Sequence, residues 1–376
     1  MEKLNQDKET PSGCRAAFAP GQDGNQGCEH ALRIHPAATS IGVRSPRAPP
    51  LMPHLQRRLN RLRRLALIGL ALMLIVVLIS AYIRLADGGP GCSPWPRCFG
   101  QQQLSAPAEA SAHAPSLEAL SGSVALARSA HRVIASVALL LVVALAVLCF
   151  SDRPFLWREG RLALALLFLA LTLAALGLYS SGTRLPAIGV ANLVGGLLMF
   201  ALFARWLAGD RGPLSGDLGA QRSLRVWARA GALVFLAQVV LGGLVSTNYA
   251  GGSCTGWLDC VDALNPAVAP WQSFSPLAEA RFSSTDLPLH RSAAPLLALH
   301  QLFSAVLGGV LLWLARCAWR AGRRRGAVAL VALLLLQVEF GLAMSGGALG
   351  DPLGLALALA HNLLTALMLA LLFSLV

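Results

Sequence analysis

Charged side chains are scarce in this chain. They make up 13% of its 376 residues, and hydrophobic residues make up 55%, whereas average proteins carry about 25% charged residues. So few charges exclude an ordinary soluble domain. The net charge of +13 does not indicate a nucleic-acid partner either, because the arginines cluster between apolar runs and not along one polar face. We therefore expect an integral membrane protein that binds no nucleic acid.

The N-terminal segment lacks both the basic n-region and the apolar h-region of a signal peptide. Residues 1–51 are rich in Pro, Gly, Gln and Ala and have no apolar periodicity. This composition predicts a disordered extension. Met52 directly precedes the basic lead into the first apolar run, and it is an alternative start of translation.

Long apolar runs are the abundant feature. A membrane-spanning helix needs about 20 mostly apolar residues, and the runs of that kind are 65–83, 124–150, 162–180, 187–204, 230–247, 293–315, 327–345 and 353–375. They predict an all-α integral membrane protein with eight transmembrane helices in a lipid bilayer.

The arginines predict the orientation of these helices. Clusters precede the first span and follow the second, fourth and sixth, so every second connection is basic. By the positive-inside rule, both termini are expected in the cytoplasm. The expected location is a bacterial inner membrane, crossed several times.

The chain contains an internal repeat. The segment "RLADGGPGCSPWPRC" at 84–98 matches "STNYAGGSCTGWLDC" at 246–260, which lies 162 residues later. Repeated segments of this kind indicate duplicated structural units. We expect two four-helix halves in parallel orientation, an N-terminal half at 52–210 and a C-terminal half at 211–376.

A second offset, of 169 residues, relates the later spans of the two halves. It aligns His131 with His300 and Asn192 with His361. A shorter motif, Gln-Val-x-x-Gly, recurs inside the C-terminal half at 238–242 and 337–341.

Each repeat carries a Cys-x5-Cys pair, Cys92 with Cys98 and Cys254 with Cys260. The spacing differs from the Cys-x-x-Cys of thioredoxin-like proteins, and no nearby histidine completes a zinc site. Both loops fall on the periplasmic side in the predicted topology, where disulfides persist. A disulfide in each loop is expected, either as a structural staple or, at Cys92 and Cys98, as a redox-active pair.

Three histidines fall inside the apolar runs, namely His131, His300 and His361. Ionisable residues within a membrane are functional candidates, and these three lie at similar depth. Two histidines from facing helices match the axial ligands of a six-coordinate haem iron. His300 and His361 are therefore predicted to bind the iron of a b-type haem. His131 is a third candidate ligand, but its expected partner, Asn192, carries an amide, which is a poor haem ligand.

The signature Arg-Leu-x-x-x-Gly-x-Gly-Cys-x-x-Trp-x-x-Cys at 84–98, the pair His131–Arg132 and the histidines late in the chain resemble the haem A synthase family over about 60–376. The resemblance implies an oxidoreductase that converts the C8 methyl of haem O to the formyl group of haem A, for the biogenesis of terminal oxidases. It also implies a cofactor haem b in the C-terminal half, substrate haem in the N-terminal half, and a role in activity or haem transfer for the first disulfide.

The same resemblance assigns His300 and His361 to the cofactor haem and His131 to the substrate haem. Two positions depart from the family pattern. Asn192 stands where the family commonly has histidine, and Arg128 stands where it commonly has an acidic residue regarded as catalytic. His131 and Asn192 are thus the catalytic candidates. They lie in the N-terminal half, where both departures from the family pattern occur.

Two arginines are candidates for pairing with haem propionates. Arg84 ends the first span, and its alternative role is that of an interfacial arginine whose charged end reaches toward water. Arg128 is the second candidate.

Two other functions stay open at this point. A b-type membrane cytochrome or haem-binding assembly factor would keep the cofactor haem without hydroxylase activity, as Asn192 and Arg128 suggest. A quinone-linked thiol oxidoreductase would use the paired cysteines and would bind no haem. The expected partners are haem O and haem O synthase. The electron donor is not indicated, and a homo-oligomer is left open.

Overall fold

The computed structural model describes most of the chain after residue 52. The described residues are 53–86, 117–179, 185–209, 218–248, 250–254, 257–262, 264, 274–278, 293–345 and 351–376. The extension predicted at 1–51 lies outside them, as do Cys92 and Cys98.

The described residues form α-helices joined by short connections and one 3₁₀ turn at Ala250–Gly252, with no strand among them. The α-helices are α1 (Pro53–Ala86), α2 (Leu117–Phe150), α3 (Trp157–Tyr179), α4 (Pro186–Ala208), α5 (Leu218–Thr247), α6 (Trp257–Asp262), α7 (Ala294–Arg320), α8 (Arg324–Ser345) and α9 (Asp351–Leu375). Eight of them, all except α6, are long and apolar enough to cross a membrane. The prediction of an all-α membrane protein with eight spans is confirmed.

Several helices begin before the apolar runs that predicted them. Helix α1 begins at Pro53, well before residue 65, and α5 begins at Leu218, well before residue 230. Hydropathy marks only the part of a helix suited to the bilayer core, whereas the backbone hydrogen bonds continue through the basic segments outside it. Proline at Pro53 and Pro186 suits the first helical position, because its missing N–H has no partner within the helix there.

The long helices pack as two rings of four. In the first ring α1 packs on α2, α2 on α3, α3 on α4, and α4 on α1. In the second ring α5, α7, α8 and α9 pack in the same cyclic order. The rings meet through α1, α4, α5 and α9, with α4 against α9 as the main contact between them. In each ring the second and fourth helices are therefore diagonal partners.

The core lies where the two rings meet. Helix α9 contributes Met368, Leu369 and Leu372, which are fully buried. Phe203 of α4 is also fully buried, and it packs where a side chain at Gly69 of α1 would stand. Glycine at position 69 therefore allows α1 and α4 to approach closely.

Helices α3 and α8 carry large exposed apolar side chains. Phe168 on α3 is 73% exposed and Leu335 on α8 is 64% exposed. Exposed apolar faces of this extent suit contact with lipid. The outermost helix of each ring therefore faces the bilayer.

Arg58 ties the start of α1 to the end of α2. Its guanidinium donates hydrogen bonds to Leu148 O at 2.6 and 2.9 Å, to Cys149 O at 3.0 Å, to Asp152 O at 2.9 Å and to Pro154 O at 3.1 Å. The last carbonyls of a helix have no partner within it, and a cation satisfies them well. Arg58 therefore caps α2 in addition to its place in the basic cluster that predicted the topology.

Candidate functional site

The first element of the site is His300 on α7, which contacts Gln238 on α5. Gln238 Nε2 lies 3.1 Å from His300 Nδ1 and donates to His300 O at 3.0 Å. The Gln238 side chain is buried, with 8% exposure. One turn further along α5, a Cβ added at Gly242 would lie 2.9 Å from His300 Cε1. The ring of His300 therefore fills the space that glycine leaves.

The second element repeats this arrangement at His361 on α9. Gln337 on α8 places its Nε2 2.9 Å from His361 Nε2, and it donates to Thr365 Oγ1 at 2.9 Å. The Thr365 hydroxyl in turn donates to His361 O at 2.9 Å. A Cβ added at Gly341 would lie 3.5 Å from His361 Cε1. Each Gln-Val-x-x-Gly motif thus places its glutamine and its glycine against one histidine of another helix.

The two histidines stand on opposite helices of the second ring. His300 lies on α7 and His361 lies on α9, and these helices are diagonal partners in that ring. Sequence spacing predicted similar depth, and the ring supplies the diagonal placement.

Arg84 lies beside this pair and connects the two rings. Its Nε donates to Ser246 Oγ at 2.9 Å, and its Nη2 donates to Asn362 Oδ1 at 2.9 Å. Asn362 follows His361 directly, and its own Nδ2 donates to Ala358 O at 2.8 Å. Both of these hydrogen-bond partners of Arg84 are neutral. A half-buried cation with neutral partners is well placed for an anionic group.

Comparison with known proteins decides the family. Residues 63–373 match the family described as COX15-CtaA, cytochrome oxidase assembly protein. The chain belongs to this family. A protein named "Heme A synthase" from Shewanella oneidensis is 30% identical over 313 residues, which cover 78% of this chain and 89% of that protein. Another "Heme A synthase", from Symbiobacterium thermophilum, is 30% identical over 294 residues, which cover 75% and 85% of the two chains. The family resemblance predicted from the sequence is confirmed.

The potential metal-binding side chains in the second ring of this COX15-CtaA protein are suited to a haem. No group of three or more His, Cys, Asp or Glu side chains in the described ranges is arranged to hold a metal ion. A porphyrin supplies four ligands to its iron and needs at most two from the protein, which the diagonal pair His300 and His361 can provide. Among the described residues, His361 Nδ1 is a buried ring nitrogen with no hydrogen-bond partner. The residues therefore suit axial ligation and not a site built from protein ligands alone.

The first ring places His131 and Asn192 on its own diagonal helices. His131 lies on α2 and Asn192 on α4, and both side chains are half-buried. Arg128 is exposed on α2. The two rings thus have the same framework, but the first offers one imidazole and one amide.

One cysteine pair lies within the described residues. The sulfur atoms of Cys254 and Cys260 are 2.11 Å apart, with a Cα separation of 5.3 Å. Both side chains are buried against Ala294, Leu297 and Ala298 at the start of α7. The second loop therefore packs on the end of the helix that carries His300.

Sequence reasoning missed several residues of this site. Ser246, Asn362 and Thr365 were not predicted, and the glutamines were seen only as a repeated motif. The available signals were weak: Ser246 is the repeat equivalent of Arg84, and Asn362 and Thr365 lie beside His361 on its helix.

Proposed function

We propose that this chain is a haem A synthase, which oxidises the C8 methyl of haem O to the formyl group of haem A. Membership of the COX15-CtaA family and the two relatives named "Heme A synthase" support the reaction. The observation that carries the site assignment is the diagonal pair His300 and His361, each held by a glutamine from another helix.

In this proposal the C-terminal half, 211–376, holds a cofactor haem b between His300 and His361. Such a haem supplies one-electron transfer when bound. The protein would orient it through the two imidazoles and would neutralise a propionate with Arg84, whose contacts inside the bundle favour this role over an interfacial one. Both histidines are half-buried among apolar helices, which would limit the access of water to the iron ligands.

The N-terminal half, 52–210, would bind the substrate haem. His131 is the proposed ligand there, and Asn192 lies on the diagonal helix. Arg128, which is exposed on α2, is the proposed partner of a propionate in this half. A single strong ligand suits a substrate that must enter and leave, because a second imidazole would hold the iron more tightly.

The remaining assignments belong to the same proposal. We place the protein in a bacterial inner membrane with both termini cytoplasmic, and we expect haem O to arrive from haem O synthase. Disulfides are proposed at Cys92–Cys98 and Cys254–Cys260. Thiol alkylation of the unreduced protein, followed by mass spectrometry, tests both pairs, and free thiols at either pair would contradict that assignment.

A pyridine haemochrome spectrum of the purified protein, together with chromatography of its extracted pigments, tests the function. Haem B together with haem O or haem A supports the synthase. Haem B alone would favour the second candidate, a non-catalytic b-type cytochrome or assembly factor, which Asn192 and Arg128 motivate. Absence of all haem would overturn both and would favour the thiol oxidoreductase.

A further inference from the structure

Each histidine of the second ring is paired with a glutamine whose carbonyl oxygen is unused. Gln238 Oε1 and Gln337 Oε1 are both buried and have no hydrogen-bond partner within the described ranges. A buried amide oxygen without a partner costs about 1–3 kcal/mol. Two such costs at equivalent places of one repeated motif call for a functional explanation.

Coordination chemistry supplies a use for these oxygens. A neutral imidazole that binds iron through one nitrogen carries its proton on the other, and that N–H needs an acceptor. The nitrogen of His300 next to Gln238 is Nδ1, and the nitrogen of His361 next to Gln337 is Nε2. Each glutamine therefore stands at one ring nitrogen and leaves the other available to a metal.

We propose that Gln238 and Gln337 are positioning residues for the two ligand histidines, each fixing the ring orientation from another helix and accepting the ring N–H through Oε1. The proposal rests on the assignment of His300 and His361 as haem ligands. It explains why the same motif, with glutamine at its first position and glycine one turn later, occurs opposite both histidines.

Acceptance by Oε1 requires the carboxamide to turn over, because Nε2 faces each ring in the structure. The terminal torsion of glutamine is broad and roughly two-fold, so a half-turn keeps the shape of the side chain. The turn gives up the bond to His300 O at Gln238 and the bond to Thr365 Oγ1 at Gln337. In return, Oε1 of each glutamine accepts a hydrogen bond from the N–H of the histidine ring.

The motif is confined to the second ring. Helix α3 contains no glutamine, and the one glutamine of α1, Gln56, lies at the opposite end of that helix from Arg84. The position of α1 that corresponds to Gln238 by the 162-residue offset is Val76, which is buried and apolar. A fixed ligand orientation thus accompanies the proposed resident haem and not the proposed substrate haem.

A hydrogen-bond acceptor at the ring N–H makes the imidazole a stronger electron donor to iron, and a stronger electron donor favours the oxidised state of the iron. Removal of the acceptor should therefore weaken haem binding and raise the reduction potential. Loss of partners of this kind typically reduces metal affinity by about 10–100-fold. A tenfold change in the ratio of the affinities for oxidised and reduced haem shifts the potential of a one-electron couple by about 59 mV.

The experiment uses the full chain in detergent, loaded with haem B, and compares Gln238→Leu, Gln337→Leu and Gln238→Glu with the unmodified protein. Haem affinity, midpoint potential and the electron paramagnetic resonance spectrum are measured. We expect both leucine variants to bind haem at least about tenfold more weakly and to have a higher potential. Gln238→Glu keeps the shape and offers a stronger acceptor, so its potential should fall below that of the unmodified protein.

Gln221→Leu is the matched control. Gln221 lies on α5 with Gln238, is half-buried, and stands about 25 Å away along the helix. Its variant should leave potential and spectrum unchanged.

If both leucine variants kept the wild-type midpoint potential and spectrum, the glutamines would be interhelical contacts and nothing more, even if the melting temperature fell. That result would overturn this inference and leave the proposed function standing. If the unmodified chain itself bound no haem B, the proposed function would fail and this inference with it.

Discussion

Arg84 and Ser246 are equivalent positions of the internal repeat, and they are hydrogen bonded to each other, Nε to Oγ at 2.9 Å. Equivalent positions of two related halves can meet only beside the axis that relates them. In the predicted repeat, this bond would put the axis between the two halves, and it puts the charge of Arg84 where α1 meets α5. Asn362, the second partner of Arg84, links this junction to the residue beside His361.

Replacement of Arg84 should weaken both the junction and the haem site. Arg84→Lys keeps the charge, but a single ammonium cannot reproduce the planar fork that reaches Ser246 and Asn362 together. Since hydrogen bonds to charged groups contribute about 1.5–3 kcal/mol, we expect a lower melting temperature and reduced haem occupancy. Ser246→Ala should cause a smaller loss, and the exposed Arg222→Lys should cause none. Normal occupancy and stability in Arg84→Lys would contradict the role assigned to the guanidinium.

Removal of either proposed ligand histidine should abolish the low-spin haem B spectrum. His300→Ala and His361→Ala each leave the iron with one protein ligand at most. His54→Ala, at an exposed position on α1, is the control. Added imidazole should restore part of the low-spin signal if the lost group was a ligand. A normal low-spin spectrum in either variant without imidazole would remove that histidine from the assignment.

The two glycines of the repeated motif should respond differently to alanine. A Cβ at position 242 would lie 2.9 Å from His300 Cε1, so the ring must shift, whereas a Cβ at position 341 would lie 3.5 Å from His361 Cε1, an ordinary contact. Gly→Ala within a helix is otherwise stabilising by about 1 kcal/mol, so a loss in Gly242→Ala cannot come from helix propensity.

We expect Gly242→Ala to perturb the haem spectrum and Gly341→Ala to leave it intact. Electron paramagnetic resonance of the haem-loaded proteins measures both. Equal behaviour of the two variants would show that the close contact at His300 has no consequence.

Arg58 should contribute to the stability of the fold and not to haem binding. Arg58→Met removes the side-chain donor of Leu148 O at the end of α2, while Cys149 O keeps its bond from Leu156 N, and we expect a loss of about 1–3 kcal/mol in the free energy of unfolding. Arg57→Met, which removes the same charge at the adjacent exposed position, should have little effect. Thermal unfolding in detergent makes the comparison. If both variants lost the same stability, net charge and not the cap would be responsible.

A histidine at position 192 should tighten haem binding in the first ring. Asn192→His places an imidazole on α4, diagonal to His131 on α2, as His361 is diagonal to His300. We expect the haem content per chain to rise and a second low-spin signal to appear. Asn192→Ala serves as the control for loss of the amide alone. Unfolding of both variants would instead assign a structural role to Asn192.

The apolar runs were sufficient to predict all eight spans, because the bilayer demands about 20 apolar residues in each. They placed the starts of α1 and α5 too late, since hydropathy does not report helix that continues into water. The short helix α6 was missed for a related reason, because its six residues leave no long apolar run.

The internal repeat predicted more of the candidate site than the hydropathy pattern did. Its 169-residue offset alone pairs His131 with His300 and Asn192 with His361. It could not assign a partner to Gln238 or Gln337, since glutamine in a membrane helix bonds to whichever group packing brings near. The cysteine pair at 92 and 98 lies outside the described residues, so the choice between staple and redox pair stays a prediction there.

The sequence by itself determined the membrane class, the number of spans and the family, and it predicted the repeated halves, because length, hydropathy and motif spacing are properties of the chain alone. Only the tertiary structure decided that α7 and α9 are diagonal partners, that each histidine is held by a glutamine of another helix, and that Arg84 reaches across to Ser246 and Asn362. Those relations join residues up to 278 positions apart. They depend on how the helices pack around each other, which no local pattern specifies.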